Sequence, residues 1–359
     1  MRKFLKSLTV KQIVLAVIVF SCILLWGVLT ILGTVKKNGL EDQNVARRWA
    51  PEGGSAQISC FFTESTEVDK NKIMTFEQKL DSVLLESSIT ASNEEARLWA
   101  DAYSAPGTVT LANGKKTLEA QALGIGGDFF LFHPVRLLNG SYFSGEDLMH
   151  DKVLIDEDAA WQLFGSNDVA GMEVTIGGVP HYISGVIKRD SGKLNEAAGL
   201  NKTLIYLSEE SLAEYGETAG INAYELVMPN PVSGFAYQKV KESFGIDENG
   251  MWVVDNSARY GFKPLFMVIS EFGTRSMNAH AIQYPYWENV ARGWEDIFAV
   301  VLVLQIIFLL IPACILLVSF ILWWKRKKWT GKDFLHVLQK GKDTVCDRFH
   351  REKNKWKDF

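Results

Sequence analysis

The chain has 359 residues, of which 47% are hydrophobic and 22% are charged, and its formal net charge is −4. This length exceeds that of one small domain, and the hydrophobic content lies between those of ordinary soluble proteins and polytopic membrane proteins. The four cysteines are too few for a disulfide scaffold at this length, so any globular part must be stabilised by its own hydrophobic core.

Two long segments without charged residues predict two membrane-spanning helices. The first lies between Gln12 and Lys36, and the second runs from Ile297 to Trp324 and contains Pro312, which suggests a kink. About 20 helical residues cross one bilayer core. The predicted segments are a basic N-terminus (1–12), a first span (13–35), a folded domain (36–296), a second span (297–324) and a basic tail (325–359).

The distribution of charge predicts the orientation. Residues 1–12 carry four Lys or Arg and no acid, and the tail carries 12 bases and 5 acids. Residues 13–324 hold the remaining 22 bases and 37 acids. Since basic segments stay on the cytoplasmic side, we expect a two-pass plasma-membrane protein with both termini cytoplasmic and the domain extracytoplasmic.

A cleaved signal peptide is the competing interpretation of the N-terminus. Its apolar region would span 7–15 residues and precede a small-residue cleavage site. The first apolar run here is longer, and no Ala-x-Ala site follows it, which favours a retained helix.

In the first half of the domain, hydrophobic spacing predicts a strand, a helix and a hairpin. The strand covers Ala56–Phe62 and the helix covers Thr75–Leu85. Two further strands, Thr108–Leu111 and Thr117–Leu123, flank Asn113-Gly114, a dipeptide suited to a type I′ turn.

The middle of the domain predicts another strand and helix, followed by a second hairpin. The strand is Lys152–Asp156, and the helix is Glu157–Phe164, ending at Gly165. Strands Met172–Ile176 and Val179–Ile187 flank a Gly-Gly turn. Their predicted buried face comprises Val174, Ile176, Ile183 and Val186.

The last part predicts a strand at Ala223–Met228, a helix at Gly234–Phe244, and strands at Trp252–Val254 and Pro264–Ile269. Residues 188–200 have weak periodicity and predict a loop.

An amphipathic helix, Tyr284–Ile297, is predicted to lead into the second span. Its aromatic residues suit either a membrane-interface belt or the core of the domain.

Two strand-helix units separated by other strands predict an α+β extracytoplasmic domain. The two units would form a ferredoxin-like sandwich, and the intervening hairpins would form a small β-rich lobe between the two transmembrane helices.

The stretch from residue 128 to 188 resembles a known family. The resemblance rests on five motifs in order, namely 138–144 (LNGSYFS), 152–155 (KVLI), 159–165 (AAWQLFG), 167–171 (NDVAG) and 174–178 (VTIGG) followed by 182–186 (YISGV). It resembles the MacB-like periplasmic core domain of ABC transporter permeases of the MacB/FtsX type. That resemblance implies a porter-like α+β half, a smaller lobe and coupling to a separate cytoplasmic ATPase. Family permeases have four membrane helices, so the two predicted here suggest a truncated or divergent form.

No motif for catalysis, cofactor binding or metal binding stands out. Phosphate-binding loops, nucleophile elbows and His/Cys metal spacings are absent from the sequence, and Gly124–Gly127 is interpreted as a turn rather than a dinucleotide fingerprint. The acids Asp156, Glu157 and Asp158 are expected to be solvated carboxylates around a helix start. We therefore predict no enzyme activity, no cofactor and no metal.

The predicted function is a permease-like, non-catalytic subunit of an ABC-type export or mechanotransmission complex, whose outer domain relays motion or binds a ligand. Expected partners are membrane lipid, a cytoplasmic ABC ATPase and/or a four-span permease subunit, and a second copy of the chain in a homo-oligomer, but no nucleic acid. The tail from Trp329 is expected to lie on the inner leaflet, dock the ATPase or remain solvated. The alternative function is a stand-alone membrane-anchored sensor or adaptor. An extracytoplasmic enzyme would require a convergent polar pocket.

Overall fold

A computed structural model describes residues 9–91, 93, 96–145, 147–275 and 282–326 of the chain. These residues form two units. The first unit contains the described residues up to Thr30 and from Leu304 onward, and the second contains Ile31–Val303. The predictions for the basic tail fall outside the described residues.

Two long apolar helices, α1 (Val10–Asn38) and α9 (Tyr286–Arg326), are long and apolar enough to cross a membrane. In the first unit, Gln305 Nε2 donates a hydrogen bond to Thr30 Oγ1 over 3.1 Å. The helix α9 continues through Pro312 and begins eleven residues before the predicted second span. It therefore includes most of the predicted amphipathic segment.

The second unit is an 11-stranded sheet with helices on both faces. The strands are β1 (Ser55–Phe62), β2 (Ala100–Asn113), β3 (Lys116–Gly127), β4 (Arg136–Gly140), β5 (Lys152–Asp156), β6 (Glu173–Ile176), β7 (Val179–Lys188), β8 (Leu204–Ser208), β9 (Glu217–Thr218), β10 (Ala223–Pro229) and β11 (Met251–Asp255). The remaining helices are α2 (Val45–Trp49), α3 (Lys70–Glu86), α4 (Phe129–Phe132), α5 (Glu157–Phe164), α6 (Glu209–Tyr215), α7 (Phe235–Phe244) and α8 (Phe262–Ser270).

One half of the sheet has the ferredoxin-like order β11-β1-β10-β2, with every neighbouring pair antiparallel. The helix α3 connects β1 to β2, and α7 connects β10 to β11. Phe76 of α3 and Phe244 of α7 stack on each other and belong to the larger hydrophobic core on one face of these strands. The predicted α+β fold is therefore confirmed.

The other half continues the same sheet as β3-β8-β5-β7-β4, with β3–β8 and β5–β7 parallel. The short strand β6 pairs with both β7 and β2. These pairings close a ring of six strands, so the β-rich lobe is joined to the ferredoxin-like half through β2. The four residues predicted to face the core from the second hairpin are buried, as expected: Val174, Ile176, Ile183 and Val186.

Two hydrophobic cores lie on opposite faces of the sheet. The larger packs α3, α5, α6 and α7 against the sheet. The smaller contains Val45 of α2, Phe129 and Phe132 of α4, and Trp287 near the start of α9. The smaller core therefore joins the sheet to α2, the first α-helix after α1, and to the first turn of α9.

Three local predictions are wrong. Pro264–Ile269 is part of the helix α8 rather than a strand, because Leu265 and Val268 are buried three residues apart and Pro264 stands in the first turn, where its missing N–H leaves no hydrogen bond unmade. Gly124–Gly127 is the end of strand β3 rather than a turn. Residues 193–200 form short helical turns within the predicted loop.

The turn types also differ from expectation at one hairpin. Gly114 and Lys115 connect β2 to β3, and Gly114 has φ +61° whereas Lys115 is not left-handed. This pattern fits a type II′ turn rather than type I′. In the second hairpin Gly177 and Gly178 both have positive φ, which is the type I′ pattern.

Candidate functional site

A series of mostly buried polar side chains lies where the sheet meets the end of α1 and the beginning of α9. We call it the polar network. It comprises Asp42, Ser59, His133, Glu225, Asn256, Arg259, Glu288 and Glu295. All of these residues belong to the second unit.

His133 follows α4 and joins three separate parts of the chain. Its Nδ1 lies 3.1 Å from Asp42 Oδ1, and its Nε2 is hydrogen-bonded to the carboxylate of Glu225. The His133 ring also packs on Trp287, with 4.1 Å between ring centroids. The side chain is 1% exposed. His133 therefore connects the segment after α1, the strand β10 and the first turn of α9.

The two carboxylates control the ionisation of His133. Burial by itself lowers the pKa of this imidazole, because the charged form is removed from water. Glu225 and Asp42 outweigh that effect and raise the pKa to about 9. At neutral pH the ring is therefore protonated and donates one hydrogen bond to each carboxylate.

Through Glu225 the hydrogen bonds of the polar network cross from one strand of the sheet to the next. Ser59 of β1 lies opposite Glu225 of β10 in the antiparallel register, and Ser59 Oγ donates to Glu225 Oε1 over 2.5 Å. Asn256 Nδ2 donates to Ser59 Oγ over 2.6 Å. Asn256 follows β11, so these bonds cross three neighbouring strands of the ferredoxin-like half.

Arg259 completes the connection to α9. Its Nη1 donates to Asn256 Oδ1 over 3.1 Å, and its two terminal nitrogens each donate to Glu288 over 2.6 Å. Its Nε donates to Glu295 over 2.5 Å, and Glu295 also pairs with Arg275. Arg259 and Glu288 are each 3% exposed. A bidentate arginine-carboxylate pair fixes both direction and distance, so the first turns of α9 are held to the sheet.

The end of α1 is held to the same region. Lys37 Nζ donates to the backbone oxygen of Tyr260 over 2.6 Å and lies 5.3 Å from the ring centroid of Phe298. The ammonium group of Lys36 lies 5.6 Å from the ring of Trp294. Both long helices thus contact each other and the domain at this end.

The aromatic residues predicted at the start of α9 divide between two environments. Trp287 is 2% exposed and belongs to the smaller core, which is the second of the two alternatives that the sequence left open. Trp294 is half-buried and lies beneath Lys36.

The acids at the start of α5 are not all solvated. Asp156 is fully buried. Its carboxylate can be buried because it accepts hydrogen bonds from Ala159 N, which makes it the N-cap of α5, and from Arg189 and Leu204 N. Glu157 and Asp158 are less buried, as predicted for surface carboxylates. The prediction was wrong for Asp156, because an N-cap can be buried when its oxygens find several donors.

The polar network has the chemistry of a structural clamp. Its groups are paired acids and bases with short, mutually satisfying hydrogen bonds, and within the described residues no group of three or more His, Cys, Asp or Glu is placed to hold a metal ion. Sequence reasoning missed Arg259 and the role of His133. Glu288 could have been found from its spacing, because Glu288 and Glu295 are seven residues apart and therefore lie on the same helix face as Ala291.

The family model described as "MacB-like periplasmic core domain" matches residues 13–242 of the chain. The chain belongs to this family. The match includes Asp42, Ser59, His133 and Glu225 of the polar network, and it ends before Asn256 and the residues of α9.

Curated relatives of the MacB family match shorter segments. The chain is 30% identical to the macrolide export ATP-binding/permease protein MacB 2 of Aeromonas hydrophila over 104 residues, which are 28% of this chain and 16% of that protein. It is 32% identical over 78 residues to MacB of Chromobacterium violaceum, covering 21% of this chain and 12% of that protein. The matched segments therefore span less than a fifth of these relatives.

Solved structures from the same group were also found. The periplasmic region of MacB from Actinobacillus actinomycetemcomitans has 15% sequence identity and a TM-score of 0.37, over 57% of this chain and 91% of that one. The extracellular domain of the ABC-type transporter YknZ from Gram-positive bacteria has 14% identity and a TM-score of 0.34, over 55% and 99% of the two chains.

Proposed function

We propose that the protein is a permease-like, non-catalytic subunit of an ABC-type export or mechanotransmission complex. In this proposal α1 and α9 cross the plasma membrane, both termini are cytoplasmic, and the domain (36–296) is extracytoplasmic. ATP hydrolysis occurs in another chain, because no phosphate-binding loop is present in this sequence. Membership of the MacB-like family supports the transport-related class.

The polar network is the observation that carries the proposal. A force along α9 reaches Glu288 and Glu295 first, and both are hydrogen-bonded to Arg259. From Arg259 the bonds continue through Asn256 to Ser59 in the sheet. Since buried bidentate pairs resist bending more than flexible surface contacts, a tilt of α9 would move the ferredoxin-like half with it.

The proposed partners follow from the likeness to the curated relatives. The curated relatives combine an ATP-binding part with a permease part under one name, and the matched segment is 16% of the first of them. We propose that an ABC ATPase, a four-span permease subunit or both act together with this chain. A second copy of the chain is a further possible member of the complex.

The first experiment tests the assembly. The full chain is purified from its native membranes in mild detergent, and the subunits that copurify are identified by mass spectrometry. An ABC ATPase, with or without a four-span permease, is the expected result. Recovery of the chain without either of them would contradict the proposal and favour a stand-alone membrane-anchored sensor or adaptor.

A second experiment tests transmission within the assembled complex. Spin-label distances between the domain and a fixed site on the partner are compared with and without a non-hydrolysable ATP analogue. The change in distance should shrink at least several-fold in Glu288→Gln. The matched control is Glu248→Gln, which removes an exposed ion pair to Lys241. An unchanged distance response in Glu288→Gln would contradict force transmission through the network.

A further inference from the structure

The helix α8 presents an apolar face that the domain does not cover. Leu265 and Val268 face the domain and are 3% and 7% exposed. On the other side Phe262 is 66% exposed and Phe266 and Met267 are each 55% exposed. The rings of Phe262 and Phe266 stack on each other, 6.3 Å apart and 20° from parallel. Such a face on an amphipathic helix is costly to leave in water.

A basic cleft of about 800 Å³ opens beside this helix. Three of its lining residues, Lys37, Arg47 and Lys263, are cationic, and none of the described residues that line it is an acid. Residues 13–324 as a whole carry 37 acids and 22 bases. Because this segment is acidic overall, a cleft lined by three cationic residues and no acid indicates a local preference for anions.

The position of α8 relates the cleft to the predicted spans. Tyr260, two residues before α8, accepts a hydrogen bond from Lys37 and packs edge-on against Phe298, with 5.0 Å between ring centroids. Lys37 is the second residue after the first charge-free run, and Phe298 is the second residue of the second run. The helix α8 therefore begins at the level where both apolar runs meet the domain.

We propose that α8 and the basic cleft form a binding site for anionic phospholipid. The side chains of Phe262, Phe266 and Met267 enter the acyl region of the outer leaflet. The phosphate-bearing headgroup lies in the cleft, where Lys263 and Arg47 are exposed to meet it. This proposal rests on the proposed function, because it requires that α1 and α9 cross the bilayer.

The depth of α8 is measured by site-directed spin labelling of the full chain in nanodiscs. Cys22, Cys314 and Cys346 are replaced by alanine, and Cys60 is retained because it is fully buried. Labels are placed by Phe266→Cys, by Leu310→Cys within the second apolar run, and by Val232→Cys on an exposed loop of the domain. Collision with oxygen and with a water-soluble nickel complex distinguishes lipid from water.

The expected result is that the labels at 266 and 310 both favour oxygen and the label at 232 favours nickel. If 310 is in lipid but 266 is in water, the lipid site is wrong while the spans stand. If 266 is shielded from both reagents, a protein surface covers α8 and the lipid site is again wrong. If 310 is itself in water, the membrane topology fails first, and with it the proposed function.

The headgroup preference is tested with nanodiscs of phosphatidylcholine containing about 30% phosphatidylglycerol. Native mass spectrometry counts the phosphatidylglycerol molecules retained by the full chain. The double variant Arg47→Glu/Lys263→Glu should lose most of that retention, at least five-fold, while Lys115→Glu at the tip of the β2–β3 hairpin should retain it. Equal retention by the double variant and the hairpin control would overturn the cleft as a headgroup site.

Discussion

His133 should make the stability of the domain fall as the solution becomes alkaline. Its pKa is about 9 in the folded state, against 6.5 for an unperturbed histidine. Because the folded pKa is the higher one, the stabilisation is fully present below pH 6.5 and is lost as the pH rises through 9. At about 1.4 kcal/mol per pKa unit, this difference corresponds to about 3.5 kcal/mol in the free energy of unfolding.

The assay is chemical unfolding of the full chain in detergent at several pH values between 6 and 10, followed by near-ultraviolet circular dichroism. His133→Gln should be less stable than the native chain at pH 6 and should show a much smaller loss between pH 6.5 and 9. Asp101, whose pKa burial and Glu77 raise to about 8, adds its own decline between about pH 4 and 8. The informative quantity is therefore the difference between variant and native chain.

The matched control is His181→Gln. His181 is as buried as His133, but its ring nitrogen pairs with the Val179 carbonyl rather than with carboxylates. This variant should lower stability through lost packing, and the decline between pH 6.5 and 9 that His133 produces should remain. The reasoning would be refuted if His133→Gln lost stability over that range as steeply as the native chain.

Two further predictions concern packing. Arg259→Met or Glu288→Met alone should destabilise the domain by about 3–5 kcal/mol, because each leaves a buried charge without its bidentate partner. The double variant should recover most of that loss. Equal melting of the single and double variants would contradict this. Gly126→Ala should destabilise by about 1–3 kcal/mol, since a Cβ there would lie 2.0 Å from Tyr103 Cζ. Gly273→Ala, with nothing within 4 Å of its Cβ position, is the control and should melt as the native chain does.

The sequence predicted regular elements well where local signals agreed. The helix Glu157–Phe164 was placed to the residue, because Asp156 caps its start and Gly165 ends it at φ +74°. The hairpin strands around Gly177-Gly178 were also placed closely, because alternation and turn chemistry coincide there.

Where local signals were weak, the sequence did not predict the correct helix or strand. The strand β8 and the helix α6 were not predicted, although Ser208 caps α6, because the parallel pairing of β8 with β3 depends on residues about 80 positions apart. The glycines of β3 were interpreted as a turn, but they are required by close packing, since a Cβ at Gly124 would lie 2.9 Å from Leu212.

The polar network could not be derived from the sequence for a related reason. Ser59, His133, Glu225 and Arg259 lie in four separate parts of the chain, and no short motif contains any two of them. Their chemistry arises from the sheet order, which sets Ser59 opposite Glu225. Tertiary juxtaposition of this kind has no local sequence pattern.

The hairpin of β2 and β3 has a mechanical consequence. It is paired over twelve residue positions, from Ala102 opposite Gly127 to Asn113 opposite Lys116, and β2 also pairs with β10. No flexible linker therefore separates the ferredoxin-like half from the ring of strands. A rotation imposed at the end that holds Ala102 would swing Gly114, at the other end of the hairpin, as the end of a rigid arm, converting a small angular step into a larger displacement there.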